Sequence, residues 1–110
     1  MNSKNIAKGS TESFKVDEGI ILLKQTNENE FESNFNFKIG KDYIQFHFCL
    51  KGSSKFLFNQ GSYIFNVENE NSILLYNPNK ELPIDLLLDA NSQVISILIS
   101  IKKFHSLFSN

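Results

Sequence analysis

Between Tyr43 and Pro78 the chain alternates apolar segments with clusters of turn residues, and that alternation leaves few folds open. The segments are YIQFHFCL, KFLFN, SYIFNV and SILLYNP, separated by KGSS, QG and ENEN. In the first, Ile44, Phe46, Phe48 and Leu50 alternate with Tyr43, Gln45, His47 and Cys49. This is the period of two of a strand with one apolar face, its second face half polar. Gly52 with its serines, Gln60-Gly61, and Glu68 to Asn71 are residues that turn or tolerate positive φ. The segments therefore fold back as antiparallel hairpins, and an all-β sandwich or barrel follows.

The flanking chain extends the pattern. Residues 1–12, rich in Ser, Asn, Lys and Gly, read as a flexible N-terminal arm. Gly19 to Gln25 is a buried strand, and Asn27 to Glu30 a polar turn. Phe31, Phe35, Phe37 and Ile39 then alternate with Glu32, Asn34, Asn36 and Lys38, the clearest amphipathic strand of the chain. Gly40 to Asp42 turns into Tyr43, and Pro83 suits the first residue of a strand continuing through Leu88. Val94 to Ile101 places Ile95, Ile97, Ile99 and Ile101 on one face and Val94, Ser96, Leu98 and Ser100 on the other. That reads as a central strand packed on both sides. From Lys102 the period becomes helical, with Ser100 as cap and Phe104, Leu107 and Phe108 on a stripe. The expected layout is an arm over 1–12, a β-barrel over 13–101, and the start of a C-terminal helix over 102–110, with the native chain continuing beyond it. The stripe either meets a partner or folds back over one end of the barrel.

Composition restricts the partners. The 110 residues make one domain, and 11 phenylalanines supply a core that needs no disulfide. The basic residues are all lysine and are scattered, and the net charge is −1. The planar fork that reads guanine and phosphate is missing, which argues against direct nucleic-acid binding. A single cysteine and the lack of an apolar leader point to the cytoplasm, and no apolar run is long enough for a membrane span.

Chemistry-bearing residues are few. His47 is the first candidate for a metal ligand or base, but its same-face neighbours are Gln45 and Cys49, and no His-x-His or correctly spaced carboxylate accompanies it. His105 reads as solvent-facing or interfacial, and Cys49 as a small buried hydrophobe. The acidic runs Glu28, Glu30, Glu32 and Glu68, Glu70 read as solvated turns, and neither a nucleophile elbow nor a phosphate loop occurs. No catalytic residue, metal site or cofactor is expected. If the face with Tyr43, Gln45 and His47 lines a cavity, a phenol, an amide and an imidazole converge among phenyl rings, as in sites that orient small polar ligands. If it faces outward, Ile44, Phe46 and Phe48 form a dry core instead.

The run Phe46-His47-Phe48-Cys49-Leu50-Lys51-Gly52, the hairpins through Gln60-Gly61-Ser62-Tyr63, and Asn71-Ser72-Ile73-Leu74-Leu75-Tyr76-Asn77-Pro78 resemble the cupin-like N-terminal domain of AraC-type transcriptional regulators. The tail LISIKKFHSLF is similar to the strand-to-helix exit of that barrel, and the resemblance covers roughly Phe31 to Phe108. It implies a double-stranded β-helix, or jelly-roll barrel, closed by a short C-terminal helix. Asn71 stands where the family usually has glycine, an exchange a left-handed turn position tolerates. Metal-binding cupins carry paired histidines after a glycine; counted from Gly40 those places hold Phe46 and Phe48, and the glutamate place holds Gly52 or Ser53. No histidine follows around Lys80 to Pro83. The resemblance therefore implies a metal-free barrel that senses a small effector and dimerises, with DNA bound by a helix-turn-helix domain outside this chain. Ligand contacts fall on Tyr43, Gln45, Phe46, His47, Phe48 and Tyr63, and the dimer contact on Phe104, Leu107 and Phe108. The alternatives are a free-standing cupin that binds a sugar-like molecule and a metal-dependent cupin enzyme.

Overall fold

A computed structural model describes residues 9–108. Nine strands run β1 (Gly9–Asp17), β2 (Ile20–Asn27), β3 (Ser33–Phe37), β4 (Tyr43–Lys51), β5 (Ser53–Phe58), β6 (Tyr63–Glu68), β7 (Ser72–Leu75), β8 (Ile84–Leu88) and β9 (Ser92–Ser100). Helix α1 (Ile101–Phe108) follows directly. All pairings are antiparallel, in a five-stranded sheet of order β1-β2-β9-β4-β7 and a four-stranded sheet of order β3-β8-β5-β6. The core lies between the sheets: Leu23, Cys49, Val94 and Leu98 from the first meet Phe56, Val67, Ile84, Leu86 and Leu88 from the second.

The turns follow the residues that can make them. Gly52, at φ 77, lets the chain pass from β4 to β5 against Ser92, where any Cβ would collide. The left-handed residue of the β6–β7 turn is Glu70, at φ 69, so the position expected at Asn71 lies one residue earlier. Asn27 ties the β2–β3 loop to β8. Its Nδ2 lies 2.9 Å from both the Phe31 and Leu88 carbonyls and 3.0 Å from that of Asp89, while its Oδ1 accepts from the Asn29 backbone and side chain. That tether starts β3 at Ser33 and leaves Phe31 outside the strand and exposed, against the expectation of a strand from Phe31. Ser100 caps α1 by accepting from the Lys103 amide at 3.1 Å. Of the expected arm, residues 9–12 belong to β1, where they pair with Lys24 to Asn27; residues 1–8 lie outside the described residues.

Two expectations about faces change. The apolar set of β4 points away from the barrel interior, and Gln45, His47 and Cys49 point into it, each at most 1% exposed. Strand β9 buries Val94, Ser96 and Leu98 between the sheets, whereas Ile95, Ile97 and Ile99 on its other face are only half-buried. The expected packing on both sides of β9 is thus half realised. Inward parity is decided by the flanking strands, because Leu23, Val94 and Leu98 must share a side with the residues they pair across.

Candidate functional site

Three adjacent strands bring a polar cluster into the interior: Gln25 from β2, Ser96 from β9, and Gln45 and His47 from β4. Register places His47 beside Ser96, and each of the four side chains is 1% exposed or less. The Leu82 carbonyl orients the Gln45 amide by accepting from Nε2 at 2.7 Å. Oε1 of Gln45 then faces His47 and accepts from Nε2–H at 2.9 Å. This fixes the tautomer, so Nδ1 accepts the Ser96 hydroxyl at 2.6 Å. Burial lowers the His47 pKa to about 4, and the ring is neutral near pH 7. Its ring packs at a tilt against Phe56, with centroids 4.6 Å apart. Ser96 Oγ also lies 3.4 Å from Gln25 Oε1, while Gln25 Nε2 has no partner among the described residues.

The cluster does not fit the metal that many cupin barrels hold. The only lone pair on the His47 ring is taken by Ser96, and the neighbouring side chains are neutral amides and a hydroxyl. Among the described residues no three His, Cys, Asp or Glu side chains assemble into a ligand set. Cys49 is 1% exposed, its thiol pushed up by burial and directed at the Lys51 and Gly52 carbonyls.

The residues expected to bind one ligand are dispersed. Gln45 and His47 are buried in the packed interior, His47 against Phe56. Tyr43 lies at the barrel mouth, in a pocket of about 250 Å³ whose apolar wall is Ile21, Leu23, Phe37, Ile39 and Leu98. Tyr63, 61% exposed, lines a separate groove of about 970 Å³ on the four-stranded sheet. Phe46 and Phe48 belong to the outer face of the five-stranded sheet and cannot reach an interior ligand, a correction that follows from β4 parity. On α1, Phe104 is half-buried and meets Phe108 in a tilted ring contact with centroids 4.8 Å apart, while Leu107 and Phe108 are 55% and 73% exposed. Sequence reasoning missed Gln25, Ser96 and Asn27. The available signal was a polar residue at the inward parity of an apolar strand, at Gln25 beside Leu23 and at Ser96 between Val94 and Leu98.

The outer face of the five-stranded sheet carries an apolar row through its middle. Phe14, Leu22, Ile97, Phe46 and Leu74 pair in register across all five strands as one row. Ile20, Ile99 and Ile44 form the adjoining row on one side, and Lys24, Ile95 and Phe48 the row on the other, with Glu12 paired to Lys24 at the edge. No helix among the described residues is long and apolar enough to cross a membrane.

No protein-family model matches the sequence, and no curated protein matches it. Solved structures do match in fold. An RmlC-like cupin protein from Desulfovibrio desulfuricans aligns with a TM-score of 0.63 at 12% identity, over 90% of this chain and 96% of that one. The Cupin_2 domain of an XRE family transcriptional regulator from Enterobacter cloacae aligns at 0.60 and 9% identity, over 83% and 95%. An HTH_3 family transcriptional regulator from Vibrio cholerae aligns at 0.60 and 12% identity, over 84% of this chain but 50% of that one. The order of the strands, the two facing sheets and these likenesses agree that the chain adopts the cupin fold.

Proposed function

We propose that this chain is a metal-free, non-catalytic sensory and dimerisation module of a cytoplasmic helix-turn-helix regulator, with DNA contacted by a domain outside it. The resemblance to AraC-type regulators and the fold likeness to XRE and HTH_3 regulators support that setting. A small effector fits best at the mouth beside Tyr43, since the space around His47 is filled.

The observation that carries the reading is the apolar row across the five-stranded sheet. A face of this kind covers a partner in preference to water. The partner is a second copy. A two-fold axis near Ile97 on the central strand β9 lays the row against itself, leaving Lys24 and Glu12 at the rim. Five strands wide and three rows deep, the face offers on the order of 500 Å², and the α1 stripe with Leu107 and Phe108 is a further apolar surface that such a pairing can use. Since stable dimers bury about 800 Å² per partner, self-association of modest, concentration-dependent strength is expected.

Sedimentation velocity over a concentration series checks this. The wild type is expected to shift from monomer to dimer in the micromolar range. Phe48→Lys with Leu74→Lys, both at exposed positions, is expected to weaken the dimer at least tenfold while leaving the unfolding temperature nearly unchanged. A wild type that stays monomeric at the highest concentration, or a double variant that dimerises equally well, overturns the reading.

A further inference from the structure

The four-stranded sheet comes apart at one end. β5 pairs with β8 through Ser54–Leu88, Lys55–Leu87 and Phe56–Leu86, and there the ladder stops. Beyond it β5 stays with β6, where Leu57 meets Ile64 and Phe58 meets Tyr63. β8 stays with β3, where Asp85 meets Asn36 and Ile84 meets Phe37. Pro83, without an N–H to donate, precedes the split on β8. Between the separated pairs lies the groove of about 970 Å³.

We infer that this groove binds a short extended peptide, which adds as a strand between β5 and β8. Over Leu57–Phe58 on one wall and Ile84–Asp85 on the other the β5–β8 ladder is missing; the Phe58 carbonyl accepts from the Gly61 amide at 3.2 Å, so on β5 it is Leu57 that faces the gap. Strand edges of that kind are templates for an incoming chain, whose backbone supplies the missing hydrogen bonds. The side-chain walls suit alternate apolar residues, with Phe58 and Tyr63 on one side and Phe37 and the half-buried Leu82 on the other. The rim carries both signs, Lys38 and Lys80 against Glu81 and Asp85, which selects no net charge and fits a blocked peptide better than an anion. Two residues per wall span about 7 Å of strand, so the two central residues of a tetrapeptide fill the split and its ends extend past it. The site lies on the opposite sheet from the proposed dimer face, and the inference does not depend on that face.

The test uses the blocked tetrapeptide acetyl-Val-Thr-Val-Phe-amide and a twin methylated at its central amide nitrogens, each titrated into isotope-labelled protein. The first peptide is expected to shift the amide signals of residues 57–58 and 84–85 and to slow hydrogen exchange at Leu57. The twin, with the same side chains but without the donors, is expected to bind at least tenfold more weakly. Unmoved signals at the solubility limit of the peptide overturn the proposal. So does equal binding of the twin, which would make the groove a site for small apolar molecules. Sedimentation of the same samples reads the dimer separately, so a failure of peptide binding and a failure of self-association are distinguishable.

Discussion

Replacing Phe56 by alanine is expected to cost about 3–5 kcal/mol of folding stability, the largest loss from any single truncation in the core. Phe56 is fully buried at the centre of the four-stranded sheet, between Phe65 on β6 and Leu86 on β8, and its ring covers His47. Removing it takes away the apolar burial of a phenyl group and leaves a cavity that rigid neighbouring strands fill incompletely. The cavity adjoins His47 with its partners Gln45 and Ser96, so it is polar enough to admit water. Thermal and urea unfolding measure the first effect. The second is a rise of the His47 pKa toward its ordinary value, because hydration removes the burial that lowers it. Phe48→Ala on the outer face, at a position already 37% exposed, is the matched comparison and is expected to cost less than about 1 kcal/mol.

Acidification is expected to weaken the fold by about 3 kcal/mol between pH 6.5 and pH 4, through His47 alone. The folded-state pKa of about 4 lies below the ordinary histidine value of 6.5, so in that window the unfolded chain binds the proton and the folded chain does not. The stabilisation is complete above pH 6.5 and is lost as the pH falls toward 4. Asp17 acts in a lower window: its hydrogen bond to Lys103 holds the carboxyl below the usual carboxylate range, so its contribution disappears only as the pH falls below about 4. Urea unfolding at a series of pH values checks the slope. His47→Gln, which retains an amide for Ser96 and Gln45, is expected to flatten the pH 4–6.5 segment. A slope as steep as that of the wild type would show that other groups carry the acid sensitivity.

Much of the architecture was legible because strand period and turn chemistry are local. The segments from Tyr43 to Leu75, the proline-led strand to Leu88, the Val94 strand and the Ser100 cap all appear, with β5 and β9 each starting two residues earlier than residue patterns put them, at Ser53 and Ser92. Which face of β4 turns inward was not legible. Phe46 and Phe48 look like core residues, and only pairing with β9 and β7 reveals that Gln45 and His47 share a side with Ser96 and Ile73. Strand β1 was hidden because Ser10 to Asp17 are exposed, so its sequence lacks a buried face; long-range pairing with β2 holds it. The polar cluster itself needed three strands distant in sequence, since Gln25 and Ser96 are separated by most of the chain.

The proposed dimer face lies on the outside of the barrel, and the polar cluster around His47 is closed within it. One set of methyl and imidazole NMR spectra, recorded on dilution and then on addition of nickel, tests that division directly. Methyl signals of Leu22, Ile95 and Ile97 are expected to move on dilution as the outer face loses its partner, while the His47 ring signals stay fixed through both titrations. Static outer-face methyls, with His47 signals that shift or broaden as nickel is added, would contradict it and make the barrel interior the working site.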